Sequence, residues 1–244
     1  MLNNDPELSN VYIISHNRPQ NVQKMQEQVK GFKVIWCVGY DEGPLYEKLG
    51  AEYWIETGNL VDSRNGAIQR AHSMGEDCIM IEDDLDKIQC AISNNNKHNQ
   101  DITFKEAIQL MYKASNDIGH RAFLIGVAPT PNAFYFNPLK PYSFTHFIVG
   151  SLIIVRNGAD LYFDKQFKLK EDYDYTLQHI QAYGMALRCN EILAHFKHYG
   201  NKGGAVDYRS DDLEQDMIQL LKEKWGSAIR DNPRRKNEIL LKVK

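Results

Sequence analysis

The stretch Cys78-Ile-Met-Ile-Glu-Asp-Asp-Leu-Asp86 joins an apolar run directly to four carboxylates. The run at 78–81 predicts a buried β-strand, and similar runs at 11–14, 33–38 and 52–55 predict three more. Helical patterns at 21–30 and 62–74 lie between these strands. Strands that alternate with helices at this spacing are typical of a parallel sheet with helices on its faces. Because ligands bind at the carboxyl ends of such strands, the acids are predicted to lie beside the binding crevice.

The second half of the chain predicts further strands without clean helical crossovers. Runs at 122–127 and 147–155 favour strands, and the pattern Thr103-Phe-Lys-Glu106 is a capping box that begins a helix. Helices are also predicted at 170–183 and 211–225. A mixed sheet is therefore expected, with a fold of the α/β class.

Composition and charge exclude several classes of protein. Of the 244 residues, 43% are hydrophobic and 25% charged, which is ordinary for a globular protein and excludes long disorder, collagen-like chains and coiled coils. No apolar stretch approaches the roughly 20 residues of a membrane-spanning helix. The net charge of −3 disfavours a protein that coats nucleic acid, so any such contact would be local. Four scattered cysteines and an N-terminus without a signal-peptide pattern favour the cytoplasm.

The acids at 82–86 are the strongest functional signal. Four neighbouring carboxylates repel one another unless a cation lies among them, and oxygen ligands suit Mg²⁺ or Mn²⁺. An Asp-x-Asp pair at a strand end is thus expected to clamp a metal ion and a diphosphate. The alternative is a solvated acidic turn.

Two earlier segments have polar side chains that suit nucleotide binding. Ile14-Ser-His-Asn-Arg-Pro19 follows the first strand, and Arg18 is suited to a phosphate or a base edge. Asp62-Ser-Arg-Asn65 begins a helix, where polar groups can face a nucleotide. The simpler alternatives are a turn with a solvated Arg18 and an ordinary helix cap at Asp62 or Ser63.

These motifs, taken together, resemble the GT-A nucleotide-sugar glycosyltransferases. With the later Lys170-Glu-Asp-Tyr-Asp-Tyr-Thr-Leu-Gln178 and His195-x-x-His198-Tyr-Gly-Asn-Lys-Gly-Gly204, the combination is similar to the TET/JBP-associated glycosyltransferases of phages and some eukaryotes. That family is linked to glycosylation of hydroxymethylated pyrimidines in DNA. The resemblance spans roughly residues 10–205. It implies a GT-A-like (Rossmann-like), mixed and mainly parallel sheet with helices on both faces over 1–210. A C-terminal helical, basic extension at 211–244 would pack on the same domain.

The resemblance also implies which residues bind the donor. Those that match donor contacts are Ser15, Arg18, Asp62, Arg64, Asn65, Asp83, Asp84, Gly203 and Gly204. Those that match the metal site, for Mn²⁺ or Mg²⁺, are Asp84, Asp86 and His198. The pair Asp83–Asp84 is an alternative register for the metal, and His195 is an alternative to His198.

The implied reaction moves a sugar from a nucleotide sugar, expected to be a UDP-sugar, to a hydroxyl group. The expected acceptor is 5-hydroxymethylpyrimidine in phage DNA. Glu171 and Asp172 match the acidic pair on the acceptor side, and a single base such as Asp172 would give inversion. The start of a helix stabilises an ionised carboxylate, which would weaken its basicity. Alternatively, these acids only cap the helix.

Two further segments bear on the acceptor. Residues 222–244 carry eight Lys or Arg against three acids, a net charge of +5, which suits DNA phosphates or else a solvated helical tail. The aromatic segment 134–147 is either core or a stacking surface, with Tyr135 and Tyr142 facing a groove. Two other functions remain open: a GT-A enzyme with a glycan, lipid or protein acceptor, and a catalytically idle nucleotide-binding module.

Overall fold

The computed structural model describes residues 10–197 and 209–243. The strands are β1 (Asn10–Ile14), β2 (Lys33–Val38), β3 (Trp54–Glu56), β4 (Cys78–Glu82), β5 (Leu85–Cys90), β6 (Gln100–Ile102), β7 (Leu124–Val127), β8 (Tyr142–Ser143), β9 (Val149–Val155), β10 (Leu187–Cys189), β11 (Ile192–Phe196), β12 (Ile229–Asp231) and β13 (Ile239–Leu241). The α-helices are α1 (Val22–Gln28), α2 (Gly43–Lys48), α3 (Leu60–Ser73), α4 (Phe104–Asp117), α5 (Glu171–Tyr183) and α6 (Asp211–Trp225).

Eight strands form one mixed sheet in the order β3-β2-β1-β4-β9-β7-β10-β8. Strands β1, β2, β3 and β4 are parallel, β7 and β10 share their direction, and β9 and β8 run the opposite way. The chain moves outward from β1 to β3 and then returns to β4 on the other side of β1. This confirms the expected α/β class and the mixed, mostly parallel sheet. It also makes the gap between β1 and β4 a topological switch point, where ligands bind in open α/β sheets.

Helices cover both faces of the sheet, as expected. Side chains of a strand alternate between its faces, so Val11 and Ile13 pack with α1, α2 and α4, whereas Tyr12 and Ile14 pack with α3 and α5. Cys37 and Cys78 are fully buried on the second face, where they act as small apolar side chains.

A second sheet follows directly from the acidic stretch. Strand β5 begins at Leu85, immediately after Asp84, and lies between β11 and β6 in an antiparallel sheet of three strands. The sequence did not predict β5, because the stretch was interpreted only as an acidic loop. This strand fixes the direction of the Asp86 side chain.

The C-terminal segment packs on the main domain through a core of its own. Met217, Ile218 and Leu221 of α6 contact Phe167 and Leu169 in the segment before α5. Beyond Trp225, however, the segment forms the β12–β13 hairpin rather than the expected helical tail. No helix within the two described ranges is long and apolar enough to cross a membrane.

His179 on α5 is predicted to make the fold sensitive to acid. It is fully buried between the rings of Tyr175 and Tyr183, at centroid distances of 4.6 and 5.5 Å. Burial lowers the pKa of His179 from 6.5 to about 3. The unfolded chain therefore binds a proton that the folded chain excludes, so stability is complete above about pH 6.5 and falls as the pH drops towards 3. Linkage makes this loss about 1.4 kcal/mol per pH unit.

We expect His179→Leu to reduce the loss of unfolding free energy on acidification, measured by urea titration across this pH range. His98→Leu is the matched control, because His98 is exposed. An unchanged acid dependence in the His179 variant would show that this histidine does not titrate on unfolding.

Candidate functional site

A cavity of about 440 Å³ opens at the carboxyl ends of β1 and β4, which is the switch point of the sheet. Ile14 ends β1, Glu82 ends β4, and Val149 begins the antiparallel strand β9 on the far side. The first turn of α5 and Glu214 of α6 close the cavity. The polar side chains that line it are Ser15, His16, Arg18, Asn59, Ser63, Arg64, Glu82, Asp83, Asp84, Ser151, Lys170, Glu171, Asp172, Tyr173, Arg209 and Glu214.

One wall of the cavity is a network around Asp83. The Arg18 Nη1 atom lies 3.0 Å from Asp83 Oδ1 and 3.7 Å from Asp84 Oδ2. The Ser15 hydroxyl donates to Asp83 Oδ2, and Ser15 Oγ lies 2.6 Å from the Tyr46 hydroxyl. Burial raises the pKa of Asp83 to about 6, although the bonds from Ser15 and Arg18 act in the opposite direction. Both Asp83 oxygens are thus used to hold Ser15 and Arg18 at the rim of β1 and β4.

Arg64 connects the two acidic stretches across the cavity. Its side chain is only 2% exposed, and its guanidinium lies 2.8 Å from Glu82 on β4 and 2.8 Å from Glu171 on α5. The Ser151 hydroxyl supports this arrangement by donating to the second oxygen of Glu82. A Cβ atom at Gly150 would lie 2.2 Å from Arg64 Nη1, so the absent side chain makes room for the arginine. Arg64 therefore fixes the start of α5 relative to the end of β4.

Asp172 presents a carboxylate at the start of α5. Its Oδ2 accepts a hydrogen bond of 3.2 Å from the Gly150 amide, and its Oδ1 accepts one of 3.0 Å from the Tyr173 amide. Burial raises the pKa of Asp172, against the effect of the Arg64 charge and these bonds. This direction is opposite to the weakened basicity expected from the helix start, and its largest cause is the burial of the carboxylate. Burial also raises the pKa of the neighbouring Glu171, which is bound to Arg64.

The C-terminal segment supplies the last part of the lining. Lys170, which precedes α5 with a left-handed backbone, lies 2.5 Å from Glu214 Oε2 and donates to the Asn237 carbonyl. Arg209 lies 3.5 Å from Glu214 Oε1. The first turn of α5, with Glu171 and Asp172, is therefore held by α6 and the β12–β13 hairpin.

The structure brings together most of the predicted site residues. Seven of the described candidates line the cavity together with Glu82: Ser15, Arg18, Arg64, Asp83, Asp84, Glu171 and Asp172. His198, Gly203 and Gly204 lie outside the described residues. His195 is on β11, where its Nε2 is 3.2 Å from Gln89 Oε1 on β5, away from the cavity lining.

Two residues of the predicted nucleoside-binding segment have structural roles instead. Asp62 is 2.6 Å from Lys165 at the surface and belongs to the cap of α3. Asn65 is buried and exchanges two hydrogen bonds of 2.8 Å with the backbone of Phe163. On a helix only one side faces the cavity, and α3 turns Ser63 and Arg64 towards it.

Asp86 is not part of the acidic wall, so the structure does not bring the two members of the predicted metal pair Asp84–Asp86 together in the cavity lining. Asp86 is the second residue of β5, where Leu85 points into the core and Asp86 points outward. Its carboxylate lies 2.8 Å from Lys197 Nζ, and that bond lowers the pKa of Asp86. Successive side chains of a strand point to opposite faces, which explains why Asp86 on β5 points away from the cavity. The alternative pair, Asp83–Asp84, lines the cavity.

Several residues of the lining were not singled out from the sequence. Ser151 of β9 and Glu214 of α6 line the cavity together with residues that are far from them in the sequence, so no local sequence pattern marks them. His16 also lines the cavity, and its Nδ1 lies 2.7 Å from Glu42 Oε1. The one sequence signal for these residues was a glycine nearby, because glycine often marks a place where another part of the chain approaches the backbone closely. Gly39 lies against Glu42 and His16, and Gly150 lies against Arg64.

The carboxylates of the cavity suit a cation that takes most of its ligands from a substrate. Over the described part of the chain, no three His, Cys, Asp or Glu side chains form a group that could hold a metal ion. Asp83 accepts from Ser15 and lies 3.0 Å from Arg18, whereas Asp84 lies 3.7 Å from Arg18, so Asp84 is taken as the principal candidate ligand. Mg²⁺ commonly takes one or two carboxylates and completes its shell with phosphates and water. The described residues of the lining include six carboxylates and four Lys or Arg, and this excess of negative charge also favours a cationic group there.

Replacing Arg64 is predicted to destabilise the fold. Arg64→Met leaves the buried Glu171 without its counter-ion, and breaking a buried ion pair by removing one partner costs about 3–5 kcal/mol. The measurement is the free energy of unfolding in urea. Arg70→Met on the same helix is the control, since Arg70 is exposed and a surface change costs about 0.5 kcal/mol or less. Equal stability of the two variants would contradict the role given to Arg64.

No protein-family model and no curated protein matches this chain.

Proposed function

We propose that the protein is a metal-dependent glycosyltransferase that uses a nucleotide-sugar donor. The proposal rests on one observation: the cavity at the switch point is lined by Asp83 and Asp84 and also by Glu171 and Asp172, and Arg64 joins Glu82, next to the first pair, to Glu171 of the second. A transfer reaction needs one group that binds the leaving diphosphate and another that accepts a proton from the acceptor. The two acidic pairs are suited to these separate tasks.

The β1–β4 side of the cavity is suited to the donor. Arg18 presents a guanidinium held between Asp83 and Asp84, and guanidinium groups bind phosphate through paired hydrogen bonds. Asp84 would hold Mg²⁺ or Mn²⁺ together with the diphosphate. When bound, such an ion neutralises the charge that develops on the leaving nucleoside diphosphate. A UDP-sugar is the donor that the resemblance implies.

The α5 side is suited to the acceptor. In the proposed step, Asp172 takes the proton of the acceptor hydroxyl, and the acceptor oxygen forms a bond to the anomeric carbon. The bond from that carbon to the diphosphate oxygen breaks, and its electron pair leaves with the nucleoside diphosphate. Attack opposite the leaving group inverts the anomeric centre. The raised pKa of Asp172 supports this role, because a stronger base removes the proton more readily.

We propose a hydroxymethylpyrimidine in DNA as the acceptor, because the sequence motifs resemble those of glycosyltransferases that are linked to this substrate. A saccharide, lipid or protein hydroxyl is the second candidate, and the charge of the C-terminal segment favours it. Four cations of that segment are paired with acids at 2.6–3.0 Å: Lys222 with Asp231, Lys224 with Asp164, Arg235 with Glu238 and Lys236 with Asp211. The segment therefore offers less free positive charge to DNA than its sequence implied.

The test is release of nucleoside diphosphate from a panel of nucleotide sugars with Mn²⁺, with and without acceptors. We expect one donor to be turned over, and EDTA to stop the reaction. Transfer to hydroxymethylpyrimidine DNA but not to saccharides would support the DNA acceptor, and the reverse would support the second candidate. If no donor binds or reacts, the proposal is wrong and an idle module is the better description.

A further inference from the structure

A second, open groove of about 830 Å³ lies at the β8–β10 edge of the main sheet. It is separate from the cavity at the switch point and shares no lining residue with it. None of the described residues in its lining is Asp or Glu, in contrast to the acidic cavity. The residues that line it are Tyr135, Asn137, Lys140, Pro141, Tyr142, Ser143, Phe144, Thr145, His146, Arg188 and Asn190.

Among the residues that the structure describes, Arg188 in this groove has no acidic partner. Arg188 donates from Nε to Asn190 Oδ1 at 2.8 Å and from Nη1 to the Phe147 carbonyl at 3.0 Å, and no carboxylate of the described residues forms an ion pair with it. Burial lowers the pKa of Arg188 to about 10. Partial burial and the Arg188 charge both lower the pKa of His146. Arg188 and His146 thus lie close enough to affect each other, and no carboxylate in the described part of the chain forms an ion pair with Arg188.

The acid that is bonded to Tyr142 of the groove also has a cationic partner. Asp117 accepts a hydrogen bond of 2.9 Å from the Tyr142 hydroxyl and lies 2.9 Å from Lys113 Nζ. Since Asp117 is already neutralised by Lys113, it does not balance the charge of Arg188 and Lys140. An anionic ligand would supply the missing negative charge.

Exposed aromatic rings border the same cations. Tyr135 is 71% exposed and Phe144 is 37% exposed, and Phe134 packs edge-on against Tyr135 with 70% of its own surface exposed. Large apolar rings left open to solvent beside positive charge are the arrangement by which proteins stack flat rings that carry phosphates.

We propose that this groove binds a nucleotide unit, with its phosphate on Arg188 and Lys140 and its flat ring on Tyr135 or Phe144. The proposal is independent of the reaction assigned to the other cavity. The unit can come from a free nucleotide or from single-stranded nucleic acid, because both present a phosphate next to a base.

The test is binding of three probes in the absence of divalent metal: inorganic phosphate, a nucleoside monophosphate and a single-stranded oligonucleotide. Calorimetry measures affinity, and the imidazole NMR signals of His146 report occupancy of the groove. We expect binding to shift the His146 signals and to weaken as salt is added. Tighter binding of the oligonucleotide than of the monomer would identify nucleic acid as the source, and equal binding would identify a free nucleotide.

Matched variants make the assignment specific. We expect Arg188→Gln to weaken binding of the oligonucleotide or monomer at least roughly tenfold, as loss of a charged phosphate contact predicts. Lys140→Gln, at an exposed position, should weaken it without affecting the fold. Arg121→Gln, exposed and outside the groove, is the control. No binding of any probe, or equal binding by the Lys140 variant and the control, would overturn the proposal.

Discussion

Asp172→Asn is expected to bind the nucleotide-sugar donor with normal affinity and to lose transfer by roughly 100- to 10,000-fold, the contribution of a general base. The amide cannot take up the acceptor proton, but its oxygen can still accept from the Gly150 or Tyr173 amide, so the start of α5 should keep its conformation. Donor affinity is measured by calorimetry and transfer by release of nucleoside diphosphate.

Asp160→Asn is the matched control for this variant, because Asp160 is exposed and outside the cavity lining. It should transfer at the wild-type rate. A fully active Asp172 variant would refute the role of Asp172 as base. Loss of donor binding together with transfer would instead assign Asp172 to the donor.

Asp84→Asn is expected to abolish metal-dependent donor binding, with a loss of affinity of roughly 100-fold or more. The reason is that Asp84 lines the cavity beside Arg18 and is the carboxylate proposed to hold the cation of the diphosphate, and removing one preorganised charge at such a site costs roughly 100- to 1,000-fold. Calorimetric titration of the donor with and without Mn²⁺ gives the metal-dependent part of the affinity directly.

Asp86→Asn is the control that the structure adds to this experiment. The sequence pattern favoured Asp86 as a metal ligand, but its carboxylate is bound to Lys197 at the surface. The Asp86 variant should therefore bind donor like the wild type. If Asp86→Asn lost donor binding and Asp84→Asn kept it, the metal site would have to be on β5 rather than in the cavity.

The sequence predicted most of the elements that depend on local patterns. The strand at Lys33–Val38 and the helix at Asp211–Trp225 have the expected bounds, and the capping box at Thr103 begins α4 as expected. Strand β5 was missed because it is stabilised by pairing with β11, about a hundred residues later, and by no strict alternation of its own. The hairpin β12–β13 was missed for a similar reason, since its charged residues resemble a solvated tail.

The candidate site was predictable where a motif follows a strand. Ser15 and Arg18 after β1, and Asp83 and Asp84 after β4, meet because parallel strands end at the same edge. The exact direction of each side chain was not predictable. Asp86 and Asn65 belong to convincing motifs, but their places on β5 and α3 turn them away. The roles of Ser151 and Glu214 depend on tertiary packing that the sequence does not reveal.

We propose that the acids after β4 and those at the start of α5 form one nucleotide-sugar site. The most direct measurement is a crystal soaked with UDP and Mn²⁺, with the metal located by its anomalous signal. We predict a Mn²⁺ peak on the Asp84 carboxylate, a diphosphate beside Arg18, and an open position between them and Asp172. A diphosphate and metal bound away from this cavity, or no binding at saturating concentrations, would contradict the account.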